Sequence, residues 1–332
     1  MNPLLNDLRT ISSRREIPQG ESYLDLVTEA ADIMRHEPLK LRPLDRKGLS
    51  GGLLLFTEGI PTVIVPDLHG RREFFLAILE YPLCPGKILL DALADGTARL
   101  LCLGDAFHGE GRAQERWEQS YTEFLNGNPV SPPMMEEMAE NFALMEMILR
   151  CKCAFPQYVH FLKGNHENIL NEEGDGNHPF RKYAEEGIMV RDFVVRQYGQ
   201  RFLKTYARLE KSFPFCAVGE RFIASHAEPA RFYSKIELVN TRLLPQVALG
   251  LTWTDNGAAA AGSVAEMLAE YLPSVPDAQY FGGHRPVTGA FSLRAENMFV
   301  QIHNPRSQAV AVVPADRRFD PETDIKPIES GA

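Results

Sequence analysis

Five short segments occur in order along the chain: Pro66-Asp67-Leu68-His69-Gly70, Gly104-Asp105, Gly164-Asn165-His166-Glu167, Ser225-His226 and Gly282-Gly283-His284. Their side chains are carboxylates, a carboxamide and imidazoles. Oxygen donors suit hard divalent cations, and imidazole shifts the preference toward manganese, iron or zinc, so a mixed set of this kind suits a pair of such ions. Two ions held about 3.5–4 Å apart by a shared carboxylate trap a water, lower its pKa and present it as a nucleophile. The same pair neutralises charge that builds on a phosphoryl group under in-line attack. The residue types therefore predict a two-metal centre for phosphoester chemistry.

Something must bring these segments together, and each follows an apolar run with strand character. The runs are Thr62–Val65, Arg99–Leu103, Tyr158–Leu162, Arg221–Ala224 and Ala278–Phe281. Side chains just beyond the carboxyl ends of separate strands can converge on one pocket. Gly70 opens a helical pattern over Arg71–Tyr81, whose amino end favours a bound anion. Residues 1–50 read as an N-terminal helical region, with Tyr23, Leu24, Leu26, Val27, Ala31, Ile33 and Met34 at near-helical spacing and Pro38 and Pro43 closing it. Gly51–Ile60 reads as a first strand and turn. Between Asp105 and Asn165 an insertion of about 112–150 reads as two helices, Arg116–Leu125 and Met134–Leu149, joined by a Pro- and Asn-rich connector. A hairpin there is expected to stand at the pocket rim. The main domain is expected over 51–314, and 315–332 reads as a polar C-terminal tail, extended or disordered from about Asp316.

The order and wording of the motifs resemble the metallophosphoesterase superfamily and, within it, the phosphoprotein phosphatase branch. That branch reads Gly-Asp-x-His-Gly, Gly-Asp-x-x-Asp-Arg-Gly, Gly-Asn-His-Glu, a late strand-borne His, and Gly-His. Phe222–Pro229 and Leu251-Thr252-Trp253-Thr254-Asp255 resemble further stretches of it. The resemblance implies the calcineurin-like α/β fold, two packed mixed β-sheets flanked by helices. It implies a first metal on Asp67, His69 and Asp105, with Asp105 bridging to a second metal on Asn165, His226 and His284. It also implies His166 as proton donor or transition-state stabiliser. The chain departs from the pattern in three places. Pro66 replaces a Gly. His108 and Gly109 stand where the family has Asp, which orients the His166 equivalent, and Arg, which grips phosphate. Asn256–Met267 holds no counterpart of the second phosphate-gripping Arg. His108 is thus a candidate catalytic neighbour of His166. Arg285 and Arg112 are candidate phosphate ligands, although Arg285 can equally pair with Asp255 or Glu228.

Composition sets the outer limits. The 332 residues and 44% apolar content suffice for a large core, and a net charge of −9 argues against a nucleic acid duplex or an anionic membrane as partner. No apolar run approaches the ~20 residues a membrane span needs. Five scattered Cys fit a reducing, cytoplasmic compartment, and Cys151-Lys152-Cys153 reads as buried thiols. His36 and His160 read as structural or exposed, and His178 as a surface residue. His303, after a strand in Gln301-Ile302-His303-Asn304-Pro305, reads more often as structural than as part of a pocket.

The expectation is a dinuclear metal-dependent phosphatase, with manganese first and iron, zinc or magnesium as alternatives. It would hydrolyse phosphomonoesters on a phosphorylated small molecule or phosphoprotein by attack of metal-bound hydroxide. The alternatives are a dinucleoside polyphosphate or nucleotide hydrolase, and a catalytically weak binding protein that keeps its metals.

Overall fold

The computed structural model describes residues 3–329. Its strands are β1 (Leu53–Leu55), β2 (Thr62–Val65), β3 (Pro82–Cys84), β4 (Lys87–Ile88), β5 (Arg99–Cys102), β6 (Val159–Phe161), β7 (Cys216–Val218), β8 (Phe222–Ser225), β9 (Gln279–Gly282), β10 (Ser292–Arg294), β11 (Phe299–Gln301), β12 (Ala309–Val313) and β13 (Ile325–Pro327). The helices are α1 (Pro3–Ser13), α2 (Gly20–Arg35), α3 (Arg72–Leu79), α4 (Leu89–Ala94), α5 (Gln114–Leu125), α6 (Pro132–Ala154), α7 (Glu186–Glu210), α8 (Lys235–Val239), α9 (Pro245–Thr252), α10 (Ser263–Tyr271) and α11 (Pro321–Asp324).

Two mixed sheets form, one in the order β13-β12-β2-β5-β6 and the other β1-β7-β8-β9-β11-β10, with β3 and β4 as a separate ribbon. Strand alternation explains why they stack. Ile64, Leu101, Ala224, Phe281, Val300 and Ala311 point between the sheets and form one buried cluster. Their sequence neighbours Val63, Val65, Leu100 and Cys102 face outward beneath α1–α7. Ile223, Tyr280 and Phe299 face outward on the other side, against Leu238, Val247, Leu251 and Met267 of α8–α10. Both faces of each central strand are thus covered, which explains runs that are apolar throughout rather than alternating.

Two expectations are corrected. The second helix of the 112–150 hairpin is not a rim element. α6 packs against α1, α2, α3 and α5, and Met138, Phe142, Met145 and Leu149 on it are buried in the helix–sheet core. The apolar residues on several faces of this helix suit a buried position better than an amphipathic lid. The tail is also ordered over its described part. Phe319, Ile325 and Ile328 are buried, Arg317 pairs with Asp324 at 2.6 Å, and β13 adds an antiparallel edge strand to β12. Pro327 falls at the end of that edge strand, where a missing N–H is tolerated.

In the first sheet β2, β5 and β6 are adjacent and parallel, and in the second β8, β9 and β11 are adjacent and parallel. Each trio delivers its following loops to a common edge.

Candidate metal centre

The loops after β2, β5 and β6 carry Asp67, Asp105 and Asn165, and those after β8, β9 and β11 carry His226, His284 and His303. The loops are unusually tight. His69, Asp105, His108, Glu110 and His284 all have left-handed backbone, with φ between 44° and 77°. Non-glycine residues adopt this region at a cost of roughly 1–2 kcal/mol each. Gly104 and Gly164 are small for a reason of space, since a Cβ on Gly104 would strike the Gly164 backbone and one on Gly164 would strike Asp105. Glu167 ties these turns together, accepting hydrogen bonds from the amides of Asp105 (3.0 Å), Ala106 (2.9 Å) and Gly164 (2.7 Å).

Asp105 lies at the centre. Its Oδ2 is 3.4 Å from His226 Nε2, 3.7 Å from His69 Nε2 and 3.8 Å from His166 Nε2, while Oδ1 accepts the His166 amide at 2.9 Å. Asp67 accepts the His284 amide at 3.0 Å. Among the described residues, Asp67–His69–His303, His69–Asp105–His166 and Asp67–Asp105–His226 each bring their ligand atoms within 4.8 Å of one another.

The tautomers show what this arrangement lacks. His69 Nδ1 lies 3.0 Å from the Phe107 carbonyl and His226 Nδ1 lies 3.0 Å from the Leu103 carbonyl, so each ring donates there and turns an Nε2 lone pair inward. His226 Nε2 then faces Asn165 Oδ1 at 2.9 Å, acceptor against acceptor. His69 Nε2 faces the carboxylates of Asp67, Asp105 and Glu110 at 3.7–3.9 Å. His284 Nε2 and His166 Nδ1 are buried without a hydrogen-bond partner. Inward lone pairs beside buried carboxylates suit a bound cation, and the mixed oxygen and imidazole donor set fits divalent ions.

Protonation follows the same logic. Burial lowers His69 to about 3 and His284 to about 4. Burial and the neighbouring rings lower His166 and His226 well below the usual imidazole value. Burial, with Glu167 and Asp67 adding to it, raises Asp105 well above the usual carboxylate range. For His303 burial acts downward too, but the Asp67 and Glu110 carboxylates outweigh it and leave the ring raised. Neutral imidazoles are the form that binds metal.

The cavity beside these groups measures about 200 Å³. It is lined by His69, Asp105, His108, Glu110, Asn165, His166, Phe180, Arg181, Lys182, Trp253, His284, Arg285 and Pro286. Of the expected residues, Asp67, His69, Asp105, Asn165, His166, His226 and His284 come together. His108 adjoins them, its ring 5.2 Å from that of His166, stacked between Trp117 and Tyr183 and bonded to Glu186 at 3.3 Å. Arg285 reaches the cavity while paired with Asp255. Arg112 does not reach it. Its guanidinium pairs with Glu140 at 2.6 Å and donates to the His69 carbonyl at 3.1 Å, because the turn after Glu110 aims it toward α6. Sequence reasoning missed Arg181 and Lys182, which lie in an irregular loop without a motif, and read His303 as structural, whereas the structure sets it beside Asp67 and Glu110. The position of His303 at the end of a strand next to the Gly-His strand was the available signal.

Comparison with known proteins shows the family and the fold. A family model described as calcineurin-like phosphoesterase matches residues 60–306. No curated protein matches the sequence. Among solved structures, a protein serine/threonine phosphatase from Saccharomyces cerevisiae, with similarity to human phosphatase PP5, superposes with a TM-score of 0.60 at 14% identity, covering 95% of this chain and 91% of that one. A cold-active protein-tyrosine phosphatase of a psychrophilic Shewanella species gives 0.47 at 12% identity, over 90% of this chain and 84% of that one.

Proposed function

We propose, from the premise that this chain belongs to the calcineurin-like phosphoesterase family, that it is a phosphatase that hydrolyses phosphomonoesters at a pair of divalent cations. The observation that carries the reading is the single oxygen Asp105 Oδ2, which faces imidazoles from both sheets at 3.4–3.8 Å and in this reading is shared by two ions. In this reading Asp67, His69 and Asp105 hold one ion, and Asp105, Asn165, His226 and His284 the other. Manganese heads the candidates, with iron, zinc and magnesium behind it, because the set mixes oxygen and imidazole donors. The ions, when bound, supply an activated water and positive charge opposite the phosphoryl oxygens.

The chain's own groups do the rest. Arg181, Lys182 and Arg285 line the cavity, and although Arg181 pairs with Glu185 at 3.1 Å and Arg285 with Asp255, their guanidinium and ammonium groups are available to a phosphate dianion. These three stand in for the phosphate-gripping arginines that the sequence lacks. His166, half-buried and neutral, lies beside Asp105 and stabilises the leaving oxygen. The substrate is a phosphorylated small molecule or phosphoprotein. All five cysteines are free thiols, which supports a cytoplasmic, reducing setting. Among the described residues no helix is long and apolar enough to cross a membrane. We also read residues 1–50 as a helical extension of a metallophosphoesterase domain over 51–314.

The test is turnover of aryl phosphates, nucleotides and phosphopeptides by protein loaded with Mn²⁺, Mg²⁺ or Zn²⁺, together with metal content per chain. We expect two ions in the wild type, loss of both ions and of turnover in Asp105→Asn, and one retained ion in His69→Ala. A metal-loaded wild type that hydrolyses no phosphoester of the panel overturns the proposal.

A further inference from the structure

We propose that His303 is a further protein ligand of the cation beside Asp67 and His69, and that Glu110 and Arg71 hold its ring in the ligating orientation. This rests on the two-metal reading above and extends it to residues outside the recognised motifs.

Topology places His303 there. β11 runs parallel to β9 in the register Gln301↔Gly282, so His303 and His284 each stand two residues beyond paired strand ends. One sheet edge therefore delivers both rings. His303 is 1% exposed, and its ring centroid lies 5.5 Å from that of His69. Its Nδ1 is 4.0 Å from Asp67 Oδ2, and its ligand atom lies within 4.8 Å of those of Asp67 and His69.

The opposite side of the ring explains its orientation. Nε2 lies 3.1 Å from Glu110 Oε1, and Glu110 Oε2 accepts the Arg71 guanidinium at 2.6 Å. A ring that donates its Nε2 proton to Glu110 presents the Nδ1 lone pair toward Asp67 and His69. A carboxylate behind a ligating histidine fixes its tautomer and raises its basicity. Glu110 reaches this position through a left-handed residue, φ 54°, that turns the loop after Asp105 back toward β11. A conformation disfavoured for Glu is retained where it aims a carboxylate at His303. The alternative role for His303 is that of an ion-pair partner of Asp67 and Glu110 with no hold on metal.

The experiment compares Mn²⁺ binding by wild type, His303→Gln and Glu110→Gln, reading both dissociation constants by chelator competition and folding by circular dichroism. Wild-type protein is also examined by pulsed electron paramagnetic resonance, which counts imidazole nitrogens on each Mn²⁺. We expect His303→Gln to leave the tighter or looser constant of one site unchanged and to weaken the other about 10–100-fold. Glu110→Gln is expected to weaken the same site by a smaller factor, and the wild-type ion beside Asp67 to show two imidazole nitrogens. If His303→Gln does not fold, the imidazole count and Glu110→Gln decide. Two constants unchanged within about twofold, or a single imidazole on that ion, overturn the proposal while leaving the two-metal reading intact. A wild type that binds no ion pair overturns both.

Discussion

His166 shows how much a neighbourhood decides at the scale of one residue. Its burial, and the imidazoles of His69, His108 and His226 around it, keep the ring neutral at physiological pH, so it has little proton to give a poor leaving group. Positioned acid catalysis is worth roughly 10²–10⁴-fold. We therefore expect kcat/KM for an aryl phosphate to exceed that for a phosphoserine peptide by roughly 10²-fold or more, and a plot of rate against leaving-group pKa to be steep. Equal turnover of the two substrates would show that another acid supports His166. The sequence alone suggests that His108→Asp would restore the family's carboxylate and narrow that gap. The structure argues otherwise. His108 lies flat between Trp117 and Tyr183, and a carboxylate there would lose both stacks and meet Glu186. We expect His108→Asp to destabilise the protein by about 1–3 kcal/mol, read by denaturant titration. Asp67, His69, Asp105, Asn165, His226 and His284 stood out as candidates because each follows a strand-like run, four of them beside a glycine. Arg181 and Lys182 did not, since nothing local marks a side chain whose role depends on where a loop folds back.

At the scale of elements, the site depends on strand ends that approach more closely than side chains normally allow. A Cβ on Gly283 would overlap the Asp67 carboxylate. Gly283 belongs to the loop after β9 and Asp67 to the loop after β2, so the overlap would fall at the contact between the two sheets. Gly283→Ala should fold, because the overlap is confined to the loops, yet lose most of its bound metal. Metal analysis beside a circular dichroism spectrum checks this, and full metal content would show that the loops yield. The strands carrying the motifs were readable from apolar runs, and β2 spans Thr62–Val65 as expected. The role of the 112–150 hairpin was not readable, because an apolar helix looks the same in sequence whether it caps a pocket or fills a core. Its second helix carries Phe142, which is fully buried, so Phe142→Ala should cost about 3–5 kcal/mol. Replacing the hairpin by a short turn should unfold the protein rather than widen its substrate range.

For the whole molecule, the two sheets share one apolar interface and meet at one polar edge. Ions bound there, as proposed, would stabilise only the folded state. Chelation should therefore lower Tm by about 5 °C or more, and Tm should rise with free Mn²⁺ concentration. A separate pH dependence comes from behind the site. Burial, aided by Glu167 and Glu172 and opposed by Lys163, pushes Glu210 up to about 8. The folded state holds that proton where the unfolded chain, titrating near ~4.3, has released it. Stability from neutral Glu210 is complete below the lower value and lost as pH rises through the upper one. Glu210→Gln should thus gain in Tm relative to wild type from about pH 4.3 to 8 and level off above it. A constant difference across that range would count against the shift. The packing of two mixed sheets was foreseeable from the family resemblance that the motif order carries. The ordered tail was not, since Phe319, Ile325 and Ile328 are too sparse to stand out among charged neighbours.

The division of the site between two strand trios also sets a schedule for biosynthesis. Asp67, Asp105 and Asn165 leave the ribosome while β8, β9 and β11 are still untranslated, and β12, which flanks β2, is made later still. A growing chain thus holds half of a cage with no opposing imidazoles from the second sheet. In the two-metal reading, the ion on Asp105, Asn165, His226 and His284 lacks its imidazoles until the loops after β8 and β9 have emerged. Ribosome-bound chains arrested near residue 220 should keep less Mn²⁺ per chain through desalting than released full-length protein.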